Sequence, residues 1–226
     1  MKKIKYIYDS IKWIQRKINK DDIFIFNNND IYLFILFDWV SSSINAKKGI
    51  NFIKKFIWKN INKYIINKQM NLKKLIFDSN NALLKNNIED SFSTCSAFSY
   101  TIGSDKYNII NIGDSRVYWI FTNFKEQFTE DDNEDFNSNI ITKALGMNLV
   151  FENIKEIKLE TSKINNCNIL ICSDWFYNIF EKQKLLFHKT LHFKKLWNIK
   201  NRLKKEIYKK NLDDSSYIYI LTNKDV

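Results

Sequence analysis

Four aspartates stand at the ends of apolar runs: Asp21 before residues 23–26, Asp38 after 31–37, Asp174 after 168–171 and Asp213 before 217–221. A carboxylate placed where a strand ends projects from the edge of a sheet. Several at one edge repel each other unless a cation lies among them. Hard oxygen ligands of this kind suit Mg2+ or Mn2+, not zinc. A second reading gives each aspartate the ordinary role of a turn former, and spacing alone leaves both open.

Other reactive side chains offer less. His188 and His192 are four apart, but no glutamate follows His188 as in an HExxH zinc site, and lysines flank both, so they read as packing or surface histidines. The run Ser41–Ser43 has neither a glycine elbow nor a triad histidine. Four glycines in 226 residues leave no phosphate-cradling glycine loop. Cys95, Cys167 and Cys172 are odd in number, lack CxxC spacing and lie in apolar surroundings, which predicts reduced, buried thiols.

The elements that must position the aspartates follow from periodicity. Residues 23–26 and 31–37 read as two strands joined by an NNND turn. Apolar residues at spacings of three and four predict amphipathic helices over about 45–67 and 70–85. Strands return at 95–101, 107–112 and 116–121, with turns at TIGSDK and at Gly113-Asp114-Ser115. Residues 125–139 read as acidic loop or short helix. A strand at 168–171 leads to a basic helical stretch over 176–210, and 217–221 closes the chain as a strand. Strands, a helix pair, more strands, then helix and strand describe an α+β protein. The layers expected are α-β-β-α, an antiparallel β-sandwich flanked by helices on both faces, in one domain over 1–226.

The words around the aspartates occur in a telling order: Phe37-Asp38, then Asn111-Ile112-Gly113-Asp114-Ser115-Arg116, Gln127-Phe128-Thr129-Glu130-Asp131, Ile141-Thr142-Lys143-Ala144-Leu145-Gly146, Ile169-Leu170-Ile171-Cys172-Ser173-Asp174 and Asp213-Asp214-Ser215-Ser216. This series, covering about residues 16 to 221, resembles the metal-dependent protein phosphatase family, protein phosphatase 2C (PPM type). The resemblance implies a helix-flanked β-sandwich and hydrolysis of phosphoserine or phosphothreonine in a protein substrate by a water activated between two Mn2+ or Mg2+ ions. By the same resemblance Asp38 bridges the metals, with the Trp39 carbonyl as a further ligand. Asp174 and Asp213 complete the first site, Asp21 supports the second through water, and Asp114 lies near a third. Arg16, five residues before Asp21, matches the arginine that clamps the substrate phosphate with its planar fork.

Three positions depart from the family's pattern. Trp39 and Trp175 replace glycines, and Lys20 replaces an acidic or amide residue beside the second metal, which puts that site in doubt. The alternative function is a pseudophosphatase, the same fold kept as a binding or regulatory module.

Composition sets the remaining bounds. A 45% hydrophobic fraction supports a full core and rules out a disordered chain. The run 31–40 is too short to span a bilayer and contains Asp38, and the N-terminus lacks a secretory pattern. A soluble, cytoplasmic monomer with no membrane partner is expected. Thirty-six basic against 25 acidic residues give +11, but the basic residues are spread along the chain, so nucleic-acid binding rests on charge alone and is not expected.

Overall fold

In the computed structural model, which describes residues 4–28, 30–102, 106–135, 140–160 and 167–222, every residue of strand β3 (Ile31–Phe37) is buried. Alternation divides its side chains between two cores. Tyr32, Phe34 and Leu36 face one, and Ile31, Leu33, Ile35 and Phe37 face the other. Such a strand needs cover on both sides, and its layers supply it.

One sheet has the order β10 (Glu156–Glu160), β7 (Lys106–Ile112), β6 (Cys95–Thr101), β3 and β2 (Asp22–Asn27). The other has the order β1 (Lys5–Ile11), β12 (Ser215–Leu221), β11 (Asn168–Cys172), β8 (Arg116–Ile120) and β9 (Lys125–Gln127). All pairings within both are antiparallel. Their inner faces meet through Phe34 and Phe98 from the first sheet and Val117, Ile171 and Ile218 from the second. Helices α1 (Ala46–Asn60) and α2 (Leu72–Lys85) cover the first sheet with Ile50, Ile53, Ile57, Leu75 and Ile76. Helices α3 (Asp174–Lys182), α4 (Lys184–Leu191) and α5 (Leu196–Tyr208) cover the second with Phe176, Phe180, Phe187, Ile199 and Leu203. The α-β-β-α architecture is the one expected.

Several elements differ from the expectation. The first helix stops at Asn60, passes through a 3-10 turn, Ile61–Tyr64, and gives way to a small hairpin of β4 (Ile65–Ile66) and β5 (Gln69–Met70). Asn67 and Lys68 have φ of 50° and 62°, the paired left-handed values that a two-residue hairpin turn requires and a helix forbids. The stretch 176–210 is broken into three helices, interrupted at Gln183 (φ −128°) and again between Leu191 and Leu196, where Lys195 is extended. Strands β1, β9 and β10 are additional. Each lies at the edge of its sheet, where one unpaired side weakens the demand for regular alternation. Residues 103–105 of the TIGSDK turn and 136–139 of the acidic stretch lie outside the described residues.

Antiparallel pairing places the ends that matter together. In each sheet, β1, β3, β7 and β11 finish where β2, β6, β8 and β12 begin. Asp22 pairs with Phe37 as the last pair between β2 and β3, so Asp21 and Asp38 stand together just beyond the end of that ladder.

Candidate active site

Asp38 emerges from β3 with its amide donating to Thr94 Oγ1 at 3.1 Å, and Thr94 Oγ1 lies 2.8 Å from Ser115 Oγ. The carboxyl of Asp38 is within hydrogen-bonding reach of both Asp21 and Asp174, a contact between acids that requires a shared proton or a cation. Burial, followed by repulsion from Asp21, Asp174 and Asp114, holds the Asp38 carboxyl well above the ordinary range. Burial raises Asp21 to about 7 despite hydrogen bonds with Ser216 and Asp38. Asp174, at the first position of α3, accepts the Trp175 amide and is also raised, again chiefly by burial. Asp114 rises to about 7 through burial and the nearby Asp174 charge. The structure therefore brings all five predicted aspartates into one electrostatic neighbourhood, Asp213 through its charge on Asp174.

Asp213 itself faces Arg16. Arg16 Nη1 is 2.5 Å from Asp213 Oδ1, and Nη2 donates to Asp213 Oδ2 at 2.8 Å. Nη1 also donates to Asp214 Oδ2 at 3.0 Å. Asp214, which the sequence reading named but gave no role, organises the segment between β1 and β2. Its carboxylate, 1% exposed, accepts from Trp13 N and Lys20 N at 2.7 Å each, besides Arg16. The DDSS word hinted at it, but two adjacent aspartates could not be told apart by spacing.

Trp39 crosses Ser93 with its flanking backbone bonds running from Val40 N to Phe92 O and from Thr94 N to Asp38 O, a pairing that leaves the Trp39 carbonyl without a hydrogen bond among the described residues. Its indole Nε1 donates to the Ser43 carbonyl. Lys20 Nζ sits 4.6 Å from the centroid of the Trp39 ring and forms no ion pair among the described residues.

The Asp114 turn is held from below. Gly113 has φ +95°, and a Cβ there would lie 2.7 Å from Thr94 Cγ2, so only glycine fits. Its amide donates to Asp132 Oδ2 at 3.1 Å, and Lys143 Nζ holds Asp132 Oδ1 at 2.6 Å. Arg116 takes Asp131 with Nε and Nη2, and its guanidinium lies 3.7 Å from the centre of the Tyr177 ring. The GDSR, FTED and TKALG words are thus joined by direct contacts. The histidines pack as expected: His188 Nε2 is 3.1 Å from Phe121 O, and His192 Nδ1 is 2.8 Å from His188 O. All three cysteines are free and buried.

Among the described residues, no three acidic, histidine or cysteine side chains surround one point as metal ligands. Asp213 is engaged by Arg16, and Asp38 lies against its two acidic neighbours. The donor set still fits a hard divalent cation. Among the described residues, Asp21 Oδ2 is buried without a hydrogen-bond donor and the Trp39 carbonyl accepts no hydrogen bond, and the clustered acids, once ionised, carry a charge that a cation would relieve.

No protein-family model matches the chain, and no curated protein does. Solved structures do. A bacterial serine phosphatase superposes with a TM-score of 0.78 at 18% identity, over 96% of this chain and 97% of that one. The serine/threonine phosphatase Stp1 from Staphylococcus aureus gives 0.77 at 17% identity, over 97% and 95%. The catalytic domain of the phosphatase PstP, in complex with two manganese ions, gives 0.73 at 16% identity, over 96% and 97%. The fold is that of PPM-type phosphatases.

Proposed function

We propose that this protein is a metal-dependent phosphatase of PPM type, hydrolysing phosphoserine or phosphothreonine in a protein substrate. The observation that carries the reading is the meeting of half-buried Asp38 and Asp174 with buried Asp21 at the end of a sandwich shared with serine/threonine phosphatases. Clustered acids cost stability when metal-free, and a divalent cation offsets that cost.

Asp38 and Asp174, with Asp213 released from Arg16, would hold one Mn2+ or Mg2+, and Asp38, the Trp39 carbonyl and Asp21 a second, with Asp114 beside them. The manganese of the PstP complex supports this choice of ion. Bound there, such ions lower the pKa of a water and offset charge on the departing ester oxygen. The chain does the rest. Thr94 fixes the Asp38 backbone, Ser173 Oγ accepts the Ser216 amide at 2.9 Å to align the β11 and β12 ends, and Asp214 holds the 12–21 segment in place. The protein would work as a monomer of one domain on cytoplasmic phosphoproteins.

One observation favours the alternative, a pseudophosphatase: Asp213 is tied to Arg16, so two predicted functional groups occupy each other. Hydrolysis of a phosphothreonine peptide with Mn2+, with and without chelator and beside Asp38→Asn, decides between them. Chelator-sensitive turnover lost in Asp38→Asn is expected. Absence of turnover from folded protein at millimolar metal selects the binding module.

A further inference from the structure

Basic residues run along the whole chain, but the acids that balance them do not. Residues 182–210 hold 11 of the 36 Lys and Arg and one of the 25 acidic residues, Glu206. The stretch therefore carries +10 of the net +11, and the rest of the chain is nearly balanced, with 25 basic against 24 acidic residues. Glu206 is itself taken, by Arg202 Nη2 at 3.3 Å and Lys210 Nζ at 3.6 Å. Among the described residues, Lys189, Lys194, Lys204 and Lys205 are exposed and form no ion pair.

Helical periodicity gathers this charge on one face. Helix α5 buries Ile199, Leu203 and Ile207 over the second sheet, so Trp197, Lys204 and Tyr208, at spacings of seven and four, share its outer side. Helix α4 buries Phe187 and Leu191 in the same core, which turns Leu185 and Lys189 outward. Leu185 is 79% exposed, Trp197 69% and Tyr208 59%. Single exposed apolar residues are ordinary on a surface. Here they stand among uncompensated lysines, along about 16 Å of α5 alone.

A polyanion is the charge-matched partner, and the side chains choose which kind. Ten of the 11 basic residues are lysines, which meet phosphates as point charges, and the one fork suited to base edges, Arg202, is paired with Glu206. Leu185 has no aromatic face on which a base could stack. Leucine and tryptophan both bury favourably where lipid headgroups meet acyl chains.

We infer that the outer side of α4 and α5 is a peripheral docking face for a membrane rich in anionic lipid, with the lysines on headgroup phosphates and Leu185 and Trp197 at the acyl boundary. No described helix is long and apolar enough to cross a membrane, so the contact lies on the surface, and it replaces the expectation of no membrane partner. The inference is independent of the phosphatase reading, since none of these residues belongs to the aspartate cluster.

The experiment is co-sedimentation with vesicles of phosphatidylcholine, alone or with one-third phosphatidylglycerol, at physiological salt. It compares the intact protein with Lys204→Gln/Lys205→Gln, Trp197→Ala and a control, Lys59→Gln/Lys63→Gln, which removes the same charge from exposed positions at the end of α1 and just beyond it. Binding to the phosphatidylglycerol vesicles alone is expected. Loss of two surface lysines should weaken it by about tenfold or more, and Trp197→Ala by about threefold. The control should stay within about twofold, because charges farther than a Debye length from the membrane are screened. No binding of the intact protein to anionic vesicles overturns the inference. Equal weakening in the control overturns it too, since net charge and not a face would then act. Binding of a single-stranded oligonucleotide with none to vesicles overturns it and assigns the face to nucleic acid. Vesicle binding of the expected pattern by a protein that hydrolyses no phosphopeptide upholds the inference and sinks the phosphatase reading alone.

Discussion

At the scale of single residues, two positions carry unusual weight for their size. Asp214 satisfies two backbone amides and one guanidinium from a site almost closed to water. Asp214→Ala leaves those donors facing an empty space, so it should destabilise the protein by about 3 kcal/mol, read as a lower urea midpoint at constant slope. Asp214→Asn keeps one acceptor oxygen and should fall between. Gly113 is constrained differently. At φ +95° with Thr94 only 2.7 Å from where a Cβ would stand, Gly113→Ala combines left-handed strain with overlap and should cost about 2 kcal/mol or more. Since Thr94 also holds the Asp38 amide, that variant should weaken Mn2+ binding as well. A Gly113→Ala protein with unaltered midpoint and metal affinity would show that the turn is free to move.

At the scale of elements, the loop bearing Gly146 depends on a helix. Asn80 of α2 accepts the Gly146 amide at 2.7 Å and donates to Met147 O at 2.9 Å, and it is fully buried. Asn80→Ala should speed hydrogen exchange at the Gly146 amide by at least about tenfold, whereas Asn86→Ala, whose side chain bonds only within exposed helix backbone, should leave it unchanged. Equal protection in both variants would detach the loop from α2. This dependence explains what sequence could and could not show. Buried elements were readable: β3 is apolar throughout because both its faces are covered, and α1 buries Ile50, Ile53 and Ile57 at helical spacing. Edge strands were not. Glu156–Glu160 has two apolar residues in five, and Lys125–Gln127 has none. The strand ends offered Asp21, Asp38 and Asp174 as a cluster or as turn formers alike, and only the family resemblance, which also supplied Asp114, chose between the two. The partner of Arg16 was not readable, since the choice between substrate and Asp213 depends on side-chain direction, which spacing does not encode. Asp214 was hidden for the same reason.

At the scale of the whole molecule, two electrostatic effects oppose each other as pH changes, and their difference tests the proposed site. The net charge of +11 grows as carboxylates are protonated, so general repulsion destabilises the fold toward acid. The buried acids act in the other direction. Asp21 and Asp114 rise from 3.8 to about 7 on folding, so their contribution is fully present below their unfolded pKa and is lost as pH climbs through 7. Between pH 6 and pH 8 a group titrating near 7 gives up about one unit of that shift, on the order of 1 kcal/mol for each taken alone. Metal-free protein should therefore have a lower Tm at pH 8 than at pH 6. Saturating Mn2+ should raise the Tm more at pH 8, because the cation binds the ionised carboxylates and displaces their protons. Asp38→Asn separates the two effects, since it removes one charge from the centre of the cluster and leaves the surface alone. That variant should be more stable than the intact protein at pH 8 without metal and should lose most of the Mn2+ response. If Asp38→Asn instead lowers the Tm and keeps that response, Asp38 is a structural acid and the cation belongs elsewhere.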